Sequence, residues 1–209
     1  MFSPIIRQID LANALTLTGL MLSFISVIFS MQSNFYAAII CMMYAGIIDL
    51  FDGFLARRTE RTELQSEVGK HLDSLVDICS FGFAPAIFAY SWGLREPFSI
   101  ALLVIYMAMN ALRLAYFNST GLTISENKEY YTGLPVTYAA LFIPLTFTLS
   151  FFIPNYAMKI VLQGLYLLLA TAMISGFKML KLSGVWYGIF SLAAIGLTGV
   201  YIWKIIITN

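Results

Sequence analysis

Charge is scarce in this chain: only 11% of its residues are Asp, Glu, Lys or Arg, and the formal net charge is +1. Without a basic patch interleaved with aromatics there is no footprint for nucleic acid, and none is expected as a partner. Cysteine is scarce too. Cys41 and Cys79 both fall inside apolar runs, where reduced core thiols are expected rather than a disulfide framework. Neither a low-complexity linker nor a clear internal repeat divides the sequence, so residues 1–209 are read as a single integral membrane domain. The first apolar segment lacks a small-residue cleavage site and is read as a span, not a signal peptide.

What fills the chain is apolar. The hydrophobic share is 60%, against about 45–50% for a soluble domain. Seven apolar segments are legible, at about 13–31, 34–56, 72–93, 97–117, 134–153, 156–176 and 184–204, and a bilayer crossing takes about 20 residues. The expected fold is all-α, a polytopic transmembrane bundle of about six to eight helices. Two connections stand out. Residues 57–71 are charged, and residues 118–132 are polar, carrying Ser125, Glu126, Asn127, Lys128 and Glu129. With the N-terminus in the cytoplasm, Arg7, Arg57, Arg58, Arg61, Lys70, Arg113, Lys128, Lys178 and Lys181 fall on or near the cytoplasmic side. Only Arg95, Lys159 and Lys204 fall outside, which is the bias the positive-inside rule requires. An odd helix number leaves the C-terminus outside.

Four of the five aspartates lie in or beside these apolar runs: Asp49, Asp52, Asp73 and Asp77. A carboxylate at lipid depth costs roughly 2.5–3.5 kcal/mol on insertion scales, and four facing one another also repel. One or two divalent cations resolve both problems. Asp49 and Asp52 are three apart and Asp73 and Asp77 four apart, so each pair lies on one helical face. Two antiparallel helices joined by a short cytoplasmic turn bring those faces together. Gly53, Ala56 and Gly69 remove bulk beside the carboxylates, and Arg57 supplies a fixed cation for phosphate oxygens.

The run Asp49-x2-Asp52-Gly53-x2-Ala56-Arg57, then Gly69-x3-Asp73-x3-Asp77, resembles the signature of the CDP-alcohol phosphotransferase family at all eight positions. Eleven residues separate Arg57 from Gly69, where the family commonly has about eight, and the excess is read as a longer cytoplasmic loop. Three further stretches resemble the phosphatidylserine synthase branch. They are Leu72-Asp-Ser-Leu-Val-Asp-Ile-Cys-Ser-Phe-Gly-Phe-Ala-Pro-Ala86, Arg113-Leu-Ala-Tyr-Phe-Asn118 and Gly133-Leu-Pro135. Tyr116 stands where that branch often has Arg, and Thr137 where it often has Pro.

The resemblance implies the family's helical fold and an enzyme, a CDP-alcohol phosphatidyltransferase. It would move a phosphatidyl group from CDP-diacylglycerol to L-serine, giving phosphatidylserine and CMP. Asp49, Asp52, Asp73 and Asp77 would hold two Mg²⁺ or Mn²⁺ ions, with Asp77 also the general base. Gly53, Ala56, Arg57 and Gly69 would line the CDP site, and Asn13 resembles a family position near the nucleotide. A lateral opening between helices would admit the acyl chains. The expected partners are these substrates, membrane lipid and a second copy of the chain. The expected location is the plasma membrane, with the site facing the cytoplasm.

Several residues carry two readings. Arg113 grips the serine carboxylate or snorkels as an anchor. Asn13 touches nucleotide or caps the first helix. Asn118 caps a helix or contacts substrate. His71 is an interfacial side chain or a base. Gly82 and Pro85 kink or thin the third helix. The Gly184-x3-Gly188 pair suggests close helix packing. Other acceptors are glycerol phosphate, inositol phosphate, choline or ethanolamine, with Tyr130 and Tyr131 a possible cage for choline. A divalent-cation transporter is the remote alternative, and it would place carboxylates near the bilayer midplane without a phosphate-binding arginine.

Overall fold

The first helix, α1 (Leu11–Met31), starts where the Asp10 carboxylate accepts the backbone N–H of Asn13, 2.8 Å away. Asp10, not Asn13, is therefore the cap. The computed structural model describes residues 3–125, 128–182 and 184–208. Along α1 the buried positions are small or polar: Asn13, Thr16, Gly19, Ser23, Ser26 and Ser30, spaced three or four apart. Its large residues, such as Met21, Phe24 and Met31, are exposed. This is the logic of a helix in lipid, where small residues let backbones approach and bulky ones face the acyl chains. The stripe packs on α2 (Phe35–Ala56), with Ser26 donating to the Ala38 carbonyl at 2.7 Å.

The third helix departs from the sequence reading. It begins at Glu63, not near 72, so most of the expected charged connection is helical and only residues 57–62 form the turn. Thr62 caps it: its hydroxyl accepts the Gln65 N–H at 3.1 Å, and the Gln65 side chain accepts the Thr62 N–H at 3.0 Å. This capping box precedes a polar helical face, which a search for apolar runs passes over. α3 (Glu63–Asp77) then runs without a break through a π turn (Ile78–Phe83) into α4 (Ala84–Trp92).

α5 (Pro97–Thr120), α6 (Ala139–Phe147), α7 (Asn155–Met173) and α8 (Val185–Thr208) complete the bundle. Among the described residues six helices are long and apolar enough to cross a membrane, one of them the continuous Glu63–Trp92, and a shorter apolar helix spans Val136–Phe151. The protein is a polytopic all-α membrane protein, and each expected apolar segment falls on helix.

The second departure is a small sheet. The polar 118–132 stretch is not simply a connection: it holds β1 (Thr123–Ser125) and β2 (Lys128–Thr132), and β2 pairs antiparallel with β3 (Lys178–Leu180) from beyond α7. Glu126 and Asn127 lie outside the described residues. Strands this short carry too little alternation to read from sequence, and β3 arrives from the far side of two helices. Gly133 follows with φ 71°, and a Cβ there would stand 2.5 Å from the Met173 carbonyl oxygen. Only glycine fits that contact and that backbone. The third departure concerns Gly184 and Gly188. A Cβ at either would meet nothing within 4 Å among the described residues, so the pair does not pack one of these helices closely. Gly184 instead takes φ 64° just before α8.

Cross-links gather the polar ends on one side of the bundle. The Gln65 amide donates to the Arg7 carbonyl, Arg57 reaches Tyr187 at the start of α8, and Asn118 near the end of α5 donates to Ser74 on α3 at 2.7 Å. Asn118 is thus a helix–helix tie and not a cap. Arg7, Arg57, Arg58, Arg61, Lys128, Lys178 and Lys181 all belong to this end. At the other end Lys159 pairs with Glu96 at 2.9 Å, and Phe88, Trp92, Phe147 and Phe151 pack with Tyr36 and Tyr201.

Candidate active site

The carboxylates sit where α1, α2 and α3 meet. Asp49 and Asp52 lie about 10 and 6 Å of helix before the end of α2, by the 1.5 Å rise per residue. Asp49, Asp52 and Asp73 each offer an oxygen within 4.8 Å of the other two. Thr16, one turn beyond Asn13 on the buried stripe, donates its hydroxyl to Asp52 Oδ2. Sequence reasoning missed Thr16. The signal was its place in the small-polar stripe of α1.

Asp77 lies one turn beyond Asp73 and is 7% exposed. It is outside the tight trio, but its carboxyl group meets that of Asp49. Its Oδ1 is buried with no hydrogen-bond partner among the described residues. Hard oxygen donors in close array, one of them unsatisfied, fit a divalent cation.

Arg113 closes this side. It is 6% exposed, within electrostatic reach of Asp77, and its Nε and Nη2 are buried without a hydrogen-bond partner among the described residues. Its guanidinium lies 5.0 Å from the Phe117 ring centroid and 5.7 Å from that of Tyr131 on β2. Burial holds the Tyr131 hydroxyl above the ordinary tyrosine range, so it stays a neutral donor. Arg113 does not snorkel: its head is held inside, beside two aromatic rings that touch each other. Tyr131 as its partner was not legible in the sequence, because the sheet brings it there.

The residues expected around the nucleotide fall into two groups. Gly53, Ala56 and Arg57 lie together at the end of α2. A Cβ on Gly53 would stand 3.8 Å from Arg57 Nη1, and Arg57 Nη2 donates to the Tyr187 hydroxyl at 3.4 Å. Asn13 and Gly69 lie together at the α1–α3 junction. There Arg61 donates to Asn13 Oδ1 at 2.6 Å, to the Gln65 carbonyl at 2.9 Å and to Asp10. Asn13 donates in turn to the Gln8 and Gln65 carbonyls. A Cβ on Gly69 would lie 2.5 Å from Arg61 Nη2 and 2.6 Å from Asn13 Oδ1. Arg61 comes from the connection between Arg57 and Gly69. His71 is exposed on α3, away from these contacts.

A cavity of about 120 Å³ reaches the site from the side, between α2, α6 and α8. Asp49 and Tyr131 stand at its polar end, and Met43, Ile47, Leu141, Phe190, Ala194 and Leu197 line the apolar remainder.

An aspartate cluster at the polar end of a helical membrane bundle, with an arginine on each side, defines the class. The model of the CDP-alcohol phosphatidyltransferase family matches residues 9–176, and the chain belongs to that family. It is an enzyme of that class. The archaetidylserine synthase of Methanothermobacter thermautotrophicus is 30% identical over 178 residues, covering 84% of this chain and 72% of the relative. The CDP-diacylglycerol–serine O-phosphatidyltransferase of Bacillus subtilis is 33% identical over 119 residues, 55% of this chain and 63% of the relative. The Saccharomyces cerevisiae enzyme of the same name is 36% identical over 93 residues, 42% of this chain and 33% of the relative.

Proposed function

We propose that the chain transfers a phosphatidyl group from CDP-diacylglycerol to L-serine, giving phosphatidylserine and CMP. It does so in the cell membrane, from a site that faces the cytoplasm. The observation that carries this reading is a complementary pair of buried, unsatisfied groups. Among the described residues Asp77 Oδ1 has no donor, and Arg113 Nε and Nη2 have no acceptor. An acceptor with a hydroxyl to deprotonate and a carboxylate to grip satisfies both. The relatives' names support serine: they differ in the lipid and agree on the amino acid.

The serine hydroxyl oxygen attacks the phosphorus that bears the diacylglycerol. Asp77 takes the hydroxyl proton, which at neutral pH the alcohol does not release unaided. The bond from that phosphorus to the bridging oxygen breaks, and CMP leaves with the electron pair. Arg113 holds the serine carboxylate through two N–H donors, and the Phe117 and Tyr131 rings fix the guanidinium. Gly53, Ala56 and Arg57 border the nucleotide at the end of α2, and Asn13 and Gly69 do so at the α1–α3 junction. Asp49, Asp52, Asp73 and Asp77 would hold two Mg²⁺ or Mn²⁺ ions, which when bound polarise the diphosphate and offset its charge. The cavity between α2, α6 and α8 receives the acyl chains from the bilayer.

Choline fits less well. Tyr131 already faces the Arg113 cation, and Tyr130, its neighbour on the strand, points to the opposite face. The two rings therefore do not form a cage.

The test is transfer from CDP-diacylglycerol to a panel of tritiated alcohols with Mn²⁺. Serine should be labelled, EDTA should abolish the labelling, and Asp77→Asn should lower the rate by about 10²–10⁴-fold. Labelling of another alcohol in place of serine, or full activity in EDTA, overturns the reading.

A further inference from the structure

The helix that carries Asp77 changes pitch on the very next residue. From Ile78 to Phe83 it is wound as a π turn, and the Ala84 N–H reaches the Cys79 carbonyl, five residues back. Pro85 follows. It has no N–H, so the Phe81 carbonyl, four residues back, loses its helical donor. Two side chains from α5 take its place: the Tyr106 hydroxyl donates to Phe81 O, and Asn110 Nδ2 donates to the same oxygen at 2.9 Å. Both residues are wholly buried. Gly82 lies against Asn110: a Cβ there would stand 3.4 Å from Asn110 Oδ1 and 3.2 Å from Ile78 Cδ1. Ser23 of α1 donates to Ser80 at 2.6 Å and pins the other side of the turn.

We infer that Tyr106 and Asn110 are positioning residues, which hold the π turn in register and through it aim the Asp77 carboxylate. Removing the one-residue excess of a π turn rotates the two flanking helical segments by about 100° relative to each other, at 3.6 residues per turn. The α4 side is fixed in the core, with Phe88 and Ala89 fully buried and the Tyr166 hydroxyl donating to the Pro85 carbonyl. A slip would therefore turn Asp77. Asn110 also lies one turn before Arg113 on α5, so the same bonds set the height of Arg113 against Asp77. The inference rests on Asp77 as the proton acceptor proposed above.

The test compares Tyr106→Phe, Asn110→Ala and the double variant in purified enzyme, reading kcat, KM for CDP-diacylglycerol and Tm. The double variant should lose about 10–10²-fold in kcat, the scale of a small misplacement of a reacting group. Its KM for CDP-diacylglycerol should change less than kcat, because Gly53, Ala56 and Arg57 lie on α2 and Asn13 on α1, and of the nucleotide groups Gly69 alone shares α3 with Asp77. Tyr106→Phe removes only a hydroxyl, so it keeps the test open if the double variant does not fold. Pro85→Ala separates positioning from mere satisfaction of a carbonyl, because it returns a backbone donor to Phe81. In that background the double variant should regain Tm and not kcat. Unchanged kcat in the folded variants, or kcat restored by Pro85→Ala together with Tm, overturns the inference. An active Asp77→Asn enzyme removes the reading on which it rests. An inactive Asp77→Asn enzyme beside an unimpaired Tyr106→Phe/Asn110→Ala enzyme removes this inference alone.

Discussion

Arg113 sits in the interior with two of its nitrogens lacking a hydrogen-bond partner among the described residues, an arrangement that costs stability. Replacing it by an apolar residue of similar length should therefore firm the fold and harm the reaction. Arg113→Met is expected to raise Tm while abolishing saturation by serine. Arg113→Lys keeps the charge and loses the two-pronged grip. It should raise the KM for serine about tenfold, the scale of one charge-assisted hydrogen bond, and leave the KM for CDP-diacylglycerol nearly unchanged. Steady-state kinetics on both substrates check this, and serine kinetics identical to wild type would end the assignment. The sequence showed the four aspartates clearly, because spacings of three and four on apolar helices leave little choice of face. It did not show what surrounds them. Thr16 reads as one more small residue until α1 is seen to bury its polar stripe, and Tyr131 reaches Arg113 only through strand pairing.

At the scale of elements, the junction of α1 and α3 is a knot of hydrogen bonds tied by one guanidinium. Arg61 is 10% exposed at its side chain and bonds Asp10, Asn13 and the Gln65 carbonyl. Gly69 leaves the space it occupies. Gly69→Ala should push Arg61 out and destabilise the protein by about 1–3 kcal/mol, the usual cost of overpacking. Arg61→Ala alone should also destabilise it, and the double variant should lose clearly less than the sum, since both act on one contact. Denaturation midpoints of the three variants decide; additive losses would mean that the two residues are not coupled. The charged stretch read as a loop is thus a helix start with a structural task. Its Thr62–Gln65 capping box was visible in the sequence, but the apolar run was the stronger signal and set the boundary too late.

At the scale of the whole molecule, the family match ends at residue 176, and β3 and α8 lie beyond it. Those last elements nonetheless supply Tyr187 beside Arg57 and one wall of the lateral cavity. If the cavity admits acyl chains, narrowing it should discriminate donors by chain length. Ala194→Phe should raise the KM for a long-chain CDP-diacylglycerol severalfold and leave a short-chain, water-soluble donor unaffected. Equal effects on both donors would place lipid entry elsewhere. The bundle as a whole was legible because helices in lipid announce themselves by length and composition. The sheet was not, because its strands are short and distant in sequence. That distance has a consequence for how the protein is made. The aspartates, with α1, α2 and α3, are all synthesised within the first 77 residues, but β2 has no β3 to pair with until residue 180 has left the ribosome. A nascent chain therefore carries all four aspartates long before the strand that holds Tyr131 is anchored, and the surroundings of Arg113 are completed late in synthesis, with α8 alone among the helices still to follow.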